Sequence, residues 1–391
     1  MGSRGKIEGK MDRPLLPPPS SILVVCIRLI GDVILSTPLV SLLKSAYPDT
    51  EIDYLVNRGT GEFLEKDPGI RRVLYTRNRE ARKPVGNPEP GYFLKILGRY
   101  DMAITLNASD RGNFAVLMAG RRIRIGFYQE RGVLKTGWRK LFLTHPLPFP
   151  GMIHVARVSQ LVAEAIAIPV PRLEAKVFWS REDEGKREEF LRREGIAGPF
   201  FVVHPFARWG YKYWVADRFA KVSDEIAGGY GIRPVWTSSP DPDEVRRLRE
   251  ASALCRIRPA LCTGEFTLNQ MACLLSRAAL YVGLDTAVSH LAATTGVPMV
   301  VLFGPTIAER WSPWNNEGPV EQQCPLPRGT QRAGRMILIQ KDWDCVPCGK
   351  AGCDDEGGES RCLTEIQVPD VLDAVRELME GRFPTAVGDA G

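Results

Sequence analysis

The stretch from Gly283 to Thr306, GLDTAVSHLAATTGVPMVVLFGPT, restricts the possible folds more than any other part of the chain. An apolar run, a tight turn, a helical stretch, a Gly-Val-Pro turn and a second apolar run follow one another. Two buried strands joined through a helix belong to a parallel sheet covered on both faces. Asp285-Thr286 stands where the first strand ends and the helix begins. Free backbone N–H groups and the positive end of the helix dipole face outward there, a place for phosphate oxygens. Asp285 could equally be an N-cap and nothing more. Ser289 and His290 follow within a turn on an otherwise apolar helix.

The same alternation runs through the chain from Ser21. ILVVCI (22–27), EIDYLV (51–56), 73–75, 102–106 and 123–126 read as strands, with a helix over 33–46 and helical stretches between the others. A second series begins after the charged helix 181–194 and the break GIAGP. FFVVHP (200–205) leads it, followed by a helix over 215–227, RPVWTSS, a helix over 268–277, LYVG and MVVLFG. The length of 391 residues suits two domains. The predicted fold class is therefore α/β with two tandem Rossmann-like domains, 21–190 and 198–365, facing each other across a cleft. A last helix, 366–380, carries a one-sided apolar stripe (Val368, Val371, Leu372, Val375, Leu378), and the first domain is one surface it could pack across. Residues 1–20 read as a flexible leader without the apolar core of a signal peptide.

With 44% hydrophobic and 25% charged residues the chain is globular, and no apolar run approaches the roughly 20 residues of a membrane span. A soluble cytoplasmic protein is expected, touching a membrane peripherally if at all. The net charge of +6 is mild, but Arg121, Arg122, Arg124, Arg131, Lys135, Arg139 and Lys140 concentrate the excess. They suit an acidic substrate, an anionic membrane or simply a solvated basic face.

Ligands of open α/β sheets bind beyond the carboxyl ends of the strands. At the first such end lies RLIGDV, with Arg28 beside the turn, Gly31 allowing it, and Asp32 opening the next helix as an N-cap or as a general base. One Gly there is too few for a dinucleotide fingerprint. The later Gly59-Thr60-Gly61 has Leu64 where a third Gly belongs, and no GxxxxGK[ST] occurs, which disfavours NAD enzymes and P-loop NTPases. In the second domain Arg208 and Lys212 of HPFARWGYKYW lie after the first strand. Two cations and a helix N-terminus at neighbouring strand ends make a pyrophosphate-binding arrangement.

These blocks, together with TSSPDPDE, resemble glycosyltransferase family 9, the ADP-heptose:lipopolysaccharide heptosyltransferases, in the family's order and roughly its spacing over residues 21–380. The RWxxKxW loop and the missing Gly after Asp-Thr, replaced by Ala287, are most like the type III enzymes. The resemblance implies a GT-B fold, an ADP-heptose donor, a lipid A-linked inner-core acceptor and inversion at the anomeric carbon. It implies Asp32 as catalytic base and Arg28 at the acceptor side of the cleft. It implies donor contacts from Arg208, Lys212, Asp285, Thr286, Ala287 and His290, and a ribose contact from Asp241 or Glu244. His154 matches a recurrent His, for which a structural role is equally open.

No metal is needed for such chemistry. Cys345, Cys348, Cys353 and Cys362 crowd into 18 residues, a spacing that suits a structural Zn or Fe site, remote from the strand ends, or a loop of free thiols. Cys26, Cys255, Cys262 and Cys273 read as buried thiols, and Cys324 is uninformative. The expected partners are ADP-heptose, the lipid A-core acceptor and the cytoplasmic face of the inner membrane, with no nucleic acid. The alternatives are a family 9 enzyme with another donor or a protein acceptor, and a Zn-finger nucleic-acid-binding protein.

Overall fold

The computed structural model describes residues 17–76, 92–129, 133–321 and 323–381. Most of the expected leader and the basic Arg131 lie outside these residues, as does the side chain of Lys135. The chain divides into two compact units, one up to Lys176 and one from Val177.

The first unit is built on a six-stranded parallel sheet in the order β3-β2-β1-β4-β5-β6. The strands are β1 Ser21–Cys26, β2 Glu51–Asn57, β3 Arg72–Thr76, β4 Tyr100–Thr105, β5 Gly120–Tyr128 and β6 His145–Pro148. In β1 every residue after Ser21 is buried, as expected for a central strand covered on both faces. The single helix expected over 33–46 is two, Ile30–Ser36 and Pro38–Ala46. Pro38 cannot donate a backbone hydrogen bond, and it opens the second helix at a position where none is needed. The Thr37 hydroxyl donates to Ile34 O (2.8 Å) at the join.

The second unit holds seven strands in the order β12-β13-β11-β10-β7-β8-β9, parallel except for the β12/β13 edge pair. They are β7 Phe200–His204, β8 Arg233–Ser238, β9 Ala260–Thr263, β10 Leu280–Leu284, β11 Met299–Leu302, β12 Gln331–Ala333 and β13 Met336–Ile339. Val282 of β10 pairs with Val203 of β7 on one side and Val300 of β11 on the other. Gly296, at φ +72°, ends the helix Ala287–Thr295 in the left-handed conformation that Gly adopts most easily, turning the chain into β11.

Two expectations need correction. The charged helix Arg181–Arg193 belongs to the second unit and not to the end of a domain 21–190. Its Phe190 packs edge-on against Phe266 and its Arg187 reaches Cys273 Sγ at 3.2 Å. The last helix, Val368–Met379, packs on the second sheet: Val371, Val375 and Leu378 join a core with Val300, Ile337 and Trp214. Trp214 Nε1 and Arg218 Nη1 both donate to Ile366 O (3.0 and 2.6 Å), fixing the entry to that helix.

Candidate active site

Three neighbouring strands of the second sheet deliver three side chains to one point. Lys212 comes from the loop after β7, Asp285 from the end of β10 and Thr306 from the turn after β11. The Lys212 ammonium lies 2.5 Å from Asp285 Oδ2, and the Thr306 hydroxyl donates to the same oxygen at 2.6 Å. The Lys212 and Asp285 side chains are 18% and 9% exposed. Asp285 is not the cap of the following helix. Thr286 is, accepting from Ser289 N at 3.4 Å. The Asp285 carboxylate is thus left to orient Lys212. The amides of Ala287 and Val288 precede the first helical hydrogen bond, His290 N to Thr286 O, and lie at the positive end of the helix.

Beneath this point Ser289 donates to Leu284 O at 2.5 Å and bonds the buried Tyr281 hydroxyl at 2.9 Å. The Tyr281 ring lies over Gly283, where any Cβ would stand 2.2 Å from the phenol oxygen. Glycine is therefore required by close approach, and it seats the helix start. His290 is buried one turn in, and burial, reinforced by Lys212 and opposed by Asp285, pushes its pKa down to about 4. It is a neutral imidazole whose Nδ1 has no partner among the described residues.

Arg208 stacks on Trp209, 4.8 Å from the ring centroid, in the same loop as Lys212. Asp241 and Glu244 have local occupations. Asp241 caps the helix Pro242–Ser252 through the amides of Asp243 and Glu244 (3.0 and 3.3 Å). Both oxygens of Glu244 are engaged by Ser239, through its amide (2.7 Å) and its hydroxyl (2.6 Å).

In the first unit the cap reading of Asp32 fails. Leu29 holds the N-cap position and Asp32 lies in the first turn of Ile30–Ser36. Its side chain is 11% exposed and forms an ion pair with Arg28, Nε to Oδ2 3.6 Å. Burial, assisted by Asp32, pushes the underlying Cys26 thiol up to about 12 and so keeps it protonated. The buried Asn57 at the end of β2 donates to Arg28 O (3.3 Å) and tethers the turn. His154 is buried and accepts from Ala156 N at 3.2 Å, capping a short 3-10 turn that packs on the Asp32 helix. Thr306 and Asn57 were missed in the sequence. Thr306 closes the FGPT block, whereas Asn57 is one polar residue at the end of an apolar strand.

The Cys-rich loop is not remote from the strand ends. Gly349 N donates to Pro305 O (2.8 Å), directly beside Thr306, and Cys362 Sγ would stand 3.7 Å from a Cβ at Gly304. Cys345, Cys348 and Cys353 are exposed and Cys362 is buried. Burial first, then the charges of the other three, push the Cys362 thiol up to about 11. They are not drawn into a ligand set: among the described residues no three His, Cys, Asp or Glu side chains are grouped to hold an ion. Four cysteines within 18 residues are nonetheless the right donors in kind for Zn or Fe, which would bind them as thiolates.

The sequence profile of Glycosyltransferase family 9 (heptosyltransferase) matches residues 94–324, more than half of the chain. Lipopolysaccharide heptosyltransferase 3 of Escherichia coli is 29% identical over 298 residues, covering 74% of this chain and 85% of that protein. Among solved structures, a family 9 glycosyl transferase from Veillonella parvula superposes with a TM-score of 0.73 at 20% identity, covering 93% of this chain and 97% of that one. The E. coli heptosyltransferase WaaC with ADP gives 0.65 at 17% identity over 92% and 99%. Two Rossmann-like units in tandem, the GT-B plan, and a profile match running from the first unit into the second lead to one conclusion: this chain is a member of glycosyltransferase family 9.

Proposed function

We propose that the protein transfers a heptose from ADP-L-glycero-D-manno-heptose to the inner core of lipopolysaccharide, as a type III enzyme, with inversion at the anomeric carbon. The carrying observation is the Lys212–Asp285–Thr306 cluster at the N-terminus of the helix Ala287–Thr295. A cation held at a helix N-terminus, with two free amides beside it, is complementary to a diphosphate. In the reaction an acceptor hydroxyl oxygen bonds the anomeric carbon while its proton passes to the Asp32 carboxylate. The bond from that carbon to the phosphate oxygen breaks on the opposite face, and its electron pair leaves with ADP. Lys212, Arg208 and the helix N-terminus stabilise the growing charge without a metal ion, and Asp285 and Thr306 position Lys212. The lipid-linked acceptor sets the work at the cytoplasmic face of the inner membrane. Asp241 and Glu244 fit best as supports of the loop beside the donor, since both oxygens of Glu244 and Oδ1 of Asp241 are already engaged.

Cys345, Cys348, Cys353 and Cys362 would hold a structural Zn or Fe that stiffens the loop against Pro305 and Thr306. About one metal per purified chain is expected, and metal-free, fully reactive thiols would dismiss the site.

The deciding experiment offers ADP-heptose to lipopolysaccharide cores truncated at defined sugars and determines the linkage formed. A new heptose on one core, its anomeric configuration inverted relative to the donor, is expected. Turnover only with a different nucleotide sugar, or only on a protein acceptor, would replace the reading with the corresponding family 9 alternative.

A further inference from the structure

Residues 92–148 hold ten Lys or Arg against three Asp or Glu, a net +7, whereas the whole chain carries +6. The stretch contains the helices Tyr92–Ile96, Asp110–Ala119 and Val133–Phe142, each of which ends at the amino edge of the first sheet, where β4, β5 and β6 begin. The three helix-to-strand connections lie side by side: Gly98 N donates to Met118 O, Tyr100 pairs with Gly120, and Thr144 N donates to Arg124 O. Each presents large apolar or basic side chains outward. Leu97 is 49% exposed, Leu141 77% and Phe142 48%, and the exposed Arg99 and Arg122 lie between them. Arg99 and Arg122 have no carboxylate partner among the described residues, while Arg121 is taken by Asp101 at 2.8 Å.

From this edge we infer a docking surface for an anionic phospholipid bilayer. Apolar tips beside uncompensated arginines match the two layers of a membrane interface, acyl boundary and phosphate. Arg99 and Arg122, exposed and uncompensated at this edge, attract an anionic surface over a Debye length, whereas a neutral bilayer offers no such attraction. A cavity of about 680 Å³ shares Arg99 with this edge, while its Arg71 and Arg72 are committed to the buried Asp53. Asp32 lies at the opposite, carboxyl edge, about 20 Å away for a six-residue strand. The inference needs no part of the transfer reaction.

The test is co-sedimentation of the full chain with vesicles of phosphatidylglycerol and phosphatidylethanolamine against phosphatidylcholine alone, free of lipopolysaccharide. Pelleting is expected with the anionic vesicles, declining as salt rises. Arg99→Glu/Arg122→Glu and Leu141→Ser/Phe142→Ser should each lower it by about tenfold or more. Both variants should keep the wild-type melting curve and turn over a lipid-free acceptor within about twofold of wild type, separating lost docking from lost folding or chemistry. Equal pelleting with neutral vesicles, none with anionic ones, or either variant pelleting like wild type overturns the inference. Pelleting only when lipopolysaccharide acceptor is added would also overturn it and assign the edge to acceptor recognition.

Discussion

Lys212 and Asp285, from the ends of two adjacent strands, form a mostly buried ion pair with Nζ and Oδ2 2.5 Å apart. Removing either charge strands the other. Lys212→Ala should weaken donor binding and lower kcat/KM by about a hundredfold. In a double-mutant cycle with Asp285→Ala, the second substitution should cost far less than it does alone. ADP-sugar titration and steady-state kinetics provide the check, and additive losses would show that the two act separately.

Asp32→Asn keeps the size of the side chain and removes its basicity. Donor affinity should stay within about twofold while turnover falls about 10²- to 10⁴-fold. Near-normal turnover would remove Asp32 from the proton transfer.

Burial lowers the pKa of His290 from 6.5 to about 4, and those of His204 and His145 move in the same direction. Between these limits the unfolded chain takes up a proton that the folded chain refuses. Stability is therefore independent of His290 above pH 6.5 and falls as pH drops toward 4, by about 1.4 kcal/mol per pH unit at most. Urea midpoints should fall from pH 7 toward pH 4, and His290→Gln should make that fall shallower, leaving the share of His204 and His145.

Gly283 lies under the Tyr281 ring, and a Cβ there would stand 2.2 Å from the phenol oxygen. Gly283→Ala should cost about 1–3 kcal/mol and disturb the Tyr281–Ser289 bond that seats the helix start. A loss in both urea midpoint and donor affinity is expected.

Asp241 caps the helix Pro242–Ser252. Asp241→Ala should lower stability by about 1 kcal/mol and leave donor KM within about twofold. A large KM effect with unchanged stability would restore a direct ribose contact.

Much of this was legible because parallel strands buried on both faces leave long apolar runs, as in β1, β7 and β10. The short strands β6, β9, β12 and β13 escaped notice. They span three or four residues each and lie at or toward the sheet edges, where periodicity carries little signal. At both sites the structure closes the cap alternative, because Thr286 and Leu29 hold the cap positions beside Asp285 and Asp32. An acidic residue anywhere in a first turn is favoured by the dipole, so composition alone does not separate a cap from its neighbours.

The sequence by itself determined the alternation of strands and helices, and with it two parallel sheets and the carboxyl ends where a site must lie. It also marked Asp32, Lys212 and Asp285. Only the tertiary structure decided what each side chain touches. Thr306 joins Asp285 across 21 residues and Lys212 joins it across 73, because β7, β10 and β11 are neighbours in the sheet though not in the chain. Local pattern reports propensity, whereas a hydrogen bond or ion pair depends on where the strand order brings two distant ends together. For the same reason the Cys-rich loop, which reads as remote, lies against the turn that carries Thr306.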